Sequence, residues 1–404
     1  MTARRLRAAL AAYPGPFWAL VVGTFVNRTG LVVVPFLSLY LAGERGVSVE
    51  RATLAVSLYG AGAFAGGFVG GWLADRVGRR PVLLGSLGGA ALPVAALPFV
   101  EAYAGVAALA FAFGLLGEMY RPAVSAAVAD LLPDARRARG YAIVYWAINL
   151  GAAVGPALGG WLAAQSYLAL FALEGATLLG YALIVAVAVP ETRPATNTTG
   201  APTPRIDLRP LARDGALAAL CVAVLLVGVA FFQLFTSLPI VMAADGLTEL
   251  DYGLVVSVNG GLIVLVGLPV AAFVGARATS GWVPGAVLLI AVGLALTAPA
   301  ETFSAYALAA VVWTVGEMAF LPVVPTIVAR LSPAALRGSY QGVYHASWGL
   351  SKMIGPALGG LVLARASSDA LWGGAAALAL VAAGVLAALL PTLRRRLSHT
   401  AGGP

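Results

Sequence analysis

The chain is poor in most of what soluble chemistry uses. Among 404 residues there is one cysteine, Cys221, and there are two histidines, His345 and His399. A single thiol excludes an internal disulfide and a thiolate metal site. Two isolated imidazoles give no basis for a metal centre, and none is expected. Charge is scarce too: 10% of residues are Asp, Glu, Lys or Arg, against about 25% in a soluble domain. Lysine is scarcest, since Lys352 stands alone among 25 basic residues. Without a phosphate-binding Gly-rich loop carrying a lysine, ATP-driven chemistry has no footing. No nucleophile elbow or metal cluster marks an enzyme.

What fills the chain instead is apolar: 60% hydrophobic residues and a mean hydropathy of +0.91. Twelve apolar spans, each near the ~20 residues that cross a bilayer as a helix, run 17–42, 52–73, 81–100, 104–128, 140–163, 167–189, 216–243, 252–276, 282–300, 303–329, 339–364 and 370–391. The first span is longer than the apolar core of a cleaved signal peptide and is read as a retained helix. With the N-terminus in the cytoplasm, 19 of the 25 basic residues fall in cytoplasmic segments, three in outer segments and three inside spans. That is a positive-inside distribution with both termini cytoplasmic. The net charge of +8 is thereby a topology signal, and nucleic acid is not an expected partner.

The sequence also repeats itself. Gly117-Glu118-Met119 returns as Gly316-Glu317-Met318, and Gly155-Pro156-Ala157-Leu158-Gly159-Gly160 returns letter for letter at 355–360. An offset of about 200 residues in a chain of 404 means two homologous halves. The expected organisation is a six-helix bundle over 1–189, a cytoplasmic linker over 190–215 and a second six-helix bundle over 216–404. The linker carries four prolines after Pro190, a Thr/Asn cluster and four arginines, so it reads as a solvated tether. Many of the 49 glycines lie inside spans, where small residues let membrane helices approach closely.

The loop between spans 2 and 3 reads Gly71-Trp72-Leu73-Ala74-Asp75-Arg76-Val77-Gly78-Arg79-Arg80. An acid at a helix end beside a basic turn can accept hydrogen bonds from arginines or from the unpaired donors of a helix N-terminus. Such a cytoplasmic clasp can hold one conformation and release it, so Gly71, Asp75, Arg76, Gly78, Arg79 and Arg80 are candidate gating residues. The segment resembles the loop 2–3 signature of the major facilitator superfamily, and with the twelve spans and the duplication the resemblance covers the whole chain. It implies an all-α fold of twelve transmembrane helices in two pseudo-symmetric bundles, a plan in which substrate binds near the midplane. The corresponding loop of the second half, around Gly275-Ala276-Arg277, is degenerate.

In span 5, Gly151, Gly155 and Gly159 form a small-residue stripe interrupted by Pro156, which removes a backbone donor and bends a helix. This element looks like the superfamily's antiporter signature. The resemblance implies that Gly155, Pro156 and Gly159 help seal the halves together and favour exchange. A packing motif alone would also be duplicated, as this one is in span 11. One departure stands out. Drug antiporters of the superfamily carry an arginine in span 4, four residues before a glycine; Phe113 occupies that place before Gly117, and the helix's arginine is Arg121. The relay role of that arginine is therefore not carried over.

Arg28, Glu118, Arg121, Glu174, Glu317 and Lys352 lie inside spans. A charge at mid-bilayer costs roughly 2.5–3.5 kcal/mol on insertion scales, so each needs a partner, a water cavity or neutralisation. Spans 1, 4, 7 and 10 line the cavity in this superfamily, and three of them carry such charges. Glu118 either pairs with Arg121 one turn away or faces Arg28. Glu118 and Glu317 are candidate proton carriers, with Arg28 and Arg121 as the cations that gate them; a static ion pair is the plain alternative. Lys352 binds a substrate carboxylate or neutralises Glu317. Glu174, close to the outer boundary, reads as structural. Asn27, Arg28, Glu118, Gln233, Glu317 and Lys352 are the candidate substrate contacts, with Asn259 as a further hydrogen-bonding candidate.

Together these features imply a secondary transporter working by alternating access, with the proton as coupling ion and no cofactor. The segment from Asn27 to Leu41 is similar to the first helix of the bacterial drug and dipeptide exporter branch. The expectation is a proton-coupled antiporter that exports small amphipathic drugs or short peptides, acting as a monomer in the cytoplasmic membrane of a bacterium. A proton-coupled importer of small zwitterions is the alternative within the fold. A non-transporting sensor or scaffold is the alternative outside it, and the short loops offer neither an output domain nor a large surface for one.

Overall fold

The computed structural model describes residues 13–193, 213–275, 281–333 and 336–401. Every regular element among them is helical. The first half contains α1 (Gly15–Gly30), α2 (Val33–Leu39), α3 (Val49–Arg76), α4 (Arg79–Ala96), α5 (Tyr103–Leu131), α6 (Asp134–Ala163) and α7 (Tyr167–Ala188). The second contains α8 (Gly215–Phe231), α9 (Gln233–Thr236), α10 (Leu238–Ala244), α11 (Glu249–Gly275), α12 (Val283–Thr297), α13 (Phe303–Phe320), α14 (Val324–Leu331), α15 (Arg337–Arg365) and α16 (Ser368–Ala401). Among the described residues, ten helical segments are long and apolar enough to cross a membrane. The shorter α12 is apolar over 15 residues, and α15 carries the polar residues of the expected eleventh span. Of the expected linker, 194–212 lie outside the described residues, as does most of the degenerate loop around Arg277.

Local chemistry sets where helices start and turn. Ser166 and Thr302 cap α7 and α13, accepting from Ala169 N and Ala305 N, and Thr248 and Asp251 bond reciprocally at the start of α11. Gly46 (φ 60°) and Gly246 (φ 81°) supply left-handed turns after the first span of each half. They lie 200 residues apart, so the duplication extends to a turn. Leu92, Leu183, Val187 and Leu265 point outward and are largely exposed, the pattern of a surface that meets lipid.

The chain folds as two units. One comprises Met1–Phe36 with Leu58–Asn197, the other Leu37–Ser57 with Thr198–Pro404. The C-terminal part of the first span and the start of α3 therefore belong with the second half. Inside that second unit Ser38 Oγ donates to Thr236 O (2.7 Å), Ala357 N donates to Ser57 Oγ (2.8 Å), and Thr53 fills the space over Gly360.

In the first unit, glycines bring α3 and α5 to backbone contact. A Cβ added at Gly62, Gly66 or Gly70 would lie 2.1, 2.2 or 2.3 Å from the carbonyl oxygens of Phe111, Leu115 and Met119, and one at Gly114 would lie 2.0 Å from Tyr59 O. A carbonyl cannot swing aside as a side chain can, so the helices themselves would have to part. Gly67 has open space instead. We expect Gly62→Ala and Gly66→Ala each to cost about 1–3 kcal/mol, the range for overpacking, while Gly67→Ala leaves stability unchanged. Thermal unfolding of the purified protein measures this; equal melting temperatures for all three would contradict the crossing.

Candidate functional site

The first span is broken. α1 ends at Gly30, Leu31 leaves the helical region (φ −74°, ψ 71°), and α2 begins at Val33. Backbone donors exposed at such a break have no water to turn to inside a bilayer. Glu174 of α7 answers them: its Oε2 accepts from Val32 N (3.2 Å) and Val33 N (2.6 Å). The structural role read for Glu174 is thus a cap on the second half-helix. Glycines of α6 seat against the same region. Gly151 abuts Arg28 and Thr29, Gly155 the carbonyls of Thr29 and Arg28, and Gly159 Val32 and Phe36. The stripe's contact face is accordingly the first span of its own unit, and α6 runs unbroken through Pro156.

Around the break lies a small pocket whose lining includes Asn27, Arg28, Tyr59, Glu118, Tyr120 and Glu174. Of the two arrangements open to Glu118, the structure contains the local one. Its Oε2 meets Arg121 Nε at 3.0 Å, and its Oε1 accepts from the Tyr59 hydroxyl at 3.4 Å. Glu118 and Arg28 are each 8% exposed, whereas about half of the Arg121 side chain is accessible. The Nε of Arg28 is buried without a hydrogen-bond partner.

The second unit repeats the break with other chemistry. α8 ends at Phe231, and the chain resumes through α9 and α10. Here Gln233 bridges: Nε2 donates to Val229 O (2.9 Å) and Gly355 O (2.8 Å), and Oε1 accepts from Ser237 Oγ (2.8 Å). Its amide makes these bonds within the protein. Glu317 of α13, the repeat counterpart of Glu118, has no arginine one turn on. Its Oε2 accepts from Asn259 Nδ2 at 2.5 Å, and the same nitrogen reaches Thr314 Oγ1 at 3.1 Å. Asn259 is thus a hydrogen-bond partner of Glu317. Lys352 sits half-buried on α15. Phe231 lies edge-on to Trp313 and Trp348, with ring centroids 5.6 and 6.4 Å away.

The loop between α3 and α4 forms a compact knot in the first unit. Gly78 turns with φ 119°. Arg79 bridges Asp130 (2.9 Å), Asp75 (3.3 Å) and Ala74 O (2.8 Å). Arg76 stacks on Trp72 at 4.4 Å, Arg80 Nη2 donates to Ala186 O (2.7 Å), and Gly71 is in ordinary contact with Pro122. The residue that sequence reasoning missed is Glu191. Its carboxylate accepts from Arg79 N (2.9 Å), Arg80 N (3.1 Å) and Arg193 N (2.8 Å), while Arg193 Nη1 donates to Arg76 O. The start of the linker is thus fastened to the loop, where the sequence suggested a free tether. At the other end Asp214 caps α8 through Ala216 N and Leu217 N and also holds Arg396 and Tyr340. Partial burial would push both carboxyls up, but hydrogen bonds outweigh it. Backbone donors of Arg193, Arg79, Arg80 and Thr192 hold Glu191 below the usual range, and Arg396 and Tyr340 lead in doing so for Asp214.

A family model described as Major Facilitator Superfamily matches residues 20–319 and 242–404. The chain belongs to the Major Facilitator Superfamily. Among superfamily relatives, the MFS-type transporter YttB of Bacillus subtilis (strain 168) is 28% identical over 350 residues, 85% of this chain and 87% of its own length. A Na(+), Li(+), K(+)/H(+) antiporter of Planococcus maritimus is 25% identical over 372 residues, covering 83% and 87%. The multidrug resistance protein MdtH of Aeromonas hydrophila is 26% identical over 349 residues, covering 85% and 86%. Among solved structures, a peptide transporter POT in complex with sulfate matches with a TM-score of 0.77 over 95% of this chain and 96% of its own, at 19% identity, a likeness of fold. The chain is thereby a membrane transporter of this superfamily, for small-molecule cargo.

The Glu191 clasp has a pH signature. A carboxyl held below its ordinary range adds stability that is present above the unfolded value, about 4.3 for Glu, and lost as pH falls through the folded one. We expect Glu191→Gln to melt below the wild type at neutral pH, with the gap closing on acidification below the usual carboxylate range. A gap that stays constant from neutral pH to acid would show that the carboxylate's charge is irrelevant to the clasp.

Proposed function

We propose that this chain is a proton-coupled antiporter that exports small amphipathic drugs or short peptides by alternating access. It has twelve spans with both termini in the cytoplasm, two six-span halves (1–189 and 216–404), and works as a monomer in the cytoplasmic membrane of a bacterium. The observation that carries the reading is the pair of buried glutamates at equivalent positions of the repeat. Glu118 is held by Arg121 and Tyr59, and Glu317 accepts from the amide of Asn259. An ionised carboxylate inside a bilayer needs a compensating partner, and Arg121, half accessible, is a partner that can leave and return. The proton carrier is one of these two glutamates: Glu118, gated by Arg28 and Arg121, or Glu317. Similarity to relatives named as a cation/proton antiporter and a multidrug resistance protein supports exchange and export. The candidate gating residues Asp75, Arg76, Gly78, Arg79 and Arg80 then act as the cytoplasmic clasp, joined by Glu191.

The test is proton flux in proteoliposomes under an imposed pH gradient, read with a pH-sensitive dye inside, for wild type, Glu118→Gln and Glu317→Gln. Dipeptides and lipophilic cations are supplied as substrates. Substrate-dependent proton movement opposite to the substrate, reduced about tenfold or more in one variant, is the expected result. Full coupling in both variants would remove the glutamates from the mechanism, and flux in the same direction as substrate would make the protein a symporter.

A further inference from the structure

Arg28 shares the first unit's pocket with Glu174, close enough for their charges to interact, yet one of its donors is left unmet. Its residue is 8% exposed, and its Nε has no acceptor among the described residues. Both carboxylates lining the same pocket also accept from other donors. Glu118 gives Oε2 to Arg121 and Oε1 to Tyr59. Glu174 gives Oε2 to the backbone donors of Val32 and Val33. Arg28 also stands in the last turn of α1, where backbone carbonyls favour a cation nearby but leave its Nε unpartnered. Its stem is confined, because Gly151 of α6 approaches so closely that an added Cβ would lie 2.5 Å from Arg28 Cβ. A buried guanidinium with a fixed stem and an unmet donor beside the pocket is built to take an acceptor. The planar fork of arginine matches a carboxylate, which offers two oxygens at the right spacing.

We propose that Arg28 binds the carboxylate of the transported solute in this pocket, so that the cargo is zwitterionic or acidic and not a lipophilic cation. The proposal rests on the reading of the chain as a transporter of small solutes and selects between the two substrate classes named for it. The pocket takes only the anionic end. Asn27 lines it next to Arg28, and its amide supplies a further donor type at the same place.

The experiment is equilibrium binding to the purified full chain in nanodiscs without any gradient. The probes are alanyl-phenylalanine and alanyl-phenylalanine amide, which differ only in the terminal carboxylate. Wild type is expected to bind the acid about tenfold or more tightly than the amide, one charge-assisted pair's worth of affinity. Arg28→Gln is expected to lose that preference while its affinity for the amide stays as in wild type, and Arg28→Lys to retain part of it. The comparison within wild type does not depend on either variant folding. Equal affinities in wild type, no binding of either probe, or a preference that survives Arg28→Gln would overturn the proposal. Because binding is read without a gradient, these outcomes are separate from the loss or retention of proton coupling in the glutamate variants.

Discussion

One interaction recurs at three points where this structure starts a helix: a carboxylate that accepts from consecutive backbone N–H groups. Glu174 does so at Val32 and Val33, Glu191 at Arg79 and Arg80, Asp214 at Ala216 and Leu217. The donors at a helix start have no intrahelical partner, and a negative charge there is favoured by the helix dipole. In a chain with 17 acidic residues among 404, placing three of them this way fixes the break in the first span, the entry to α4 and the entry to α8. The pocket beside Arg28 lies at the break in the first span, lined by Leu31 and by Glu174, which caps it.

The two units answer the same structural problem with different electrostatics. Both break their first span, and both lay a glycine-bearing helix against the break, α6 on α1 and α15 on α8 and α9. The first unit satisfies its break with a carboxylate and surrounds it with Arg28, Glu118 and Arg121. The second uses the neutral amide of Gln233 and leaves Glu317 with Asn259. A duplicated scaffold has kept its packing and divided its charge. In the first unit the glutamate beside the break is paired with a cation, Arg121, while in the second Glu317 takes the amide of Asn259.

Much of this was legible in the sequence, and the remainder divides along a physical line. The spans, the duplication and the basic turn after Asp75 depend on composition and local order, which the chain displays directly. Even the pair of Glu118 with Arg121 was among the alternatives, because residues three apart share a helix face. What stayed hidden was every partner chosen across helices. Gln233 looks like a polar residue awaiting a ligand until Gly355 O and Ser237 Oγ are seen against it. Asn259 gives no sign in the sequence that its amide will meet Glu317 from another helix. Glu191 lay in a segment whose prolines and threonines spell a tether; the only hint was an acid immediately after a span, 111 residues from the arginine whose backbone it caps. The assignment of Leu37–Ser57 to the second unit has no sequence signal, since a helix carries no mark of which neighbours its two ends will join.

The location of the caps also decides where a pH gradient can act. Glu191 and Asp214 lie outside the spans and are held below the usual carboxylate range by donors that persist while they are ionised. They therefore remain charged through the mildly acidic and neutral range in which gradients across bacterial membranes operate. The carboxylates of the clasp at Gly78 and of the cap on α8 thus keep a constant charge in that range. A protonation event that changes the molecule there has to occur on groups inside the bundles. Among the described residues such groups include Glu118, Glu174, Glu317 and Lys352. Glu174 cannot change state without disturbing the donors of Val32 and Val33, so protonating it would act on the helix break itself. Protonating Glu118 would instead release Arg121, a cation on an accessible side chain. The two acids thus offer different consequences for one proton, a structural one at the break and a mobile charge in the pocket. Only the second leaves the scaffold intact from one transport cycle to the next.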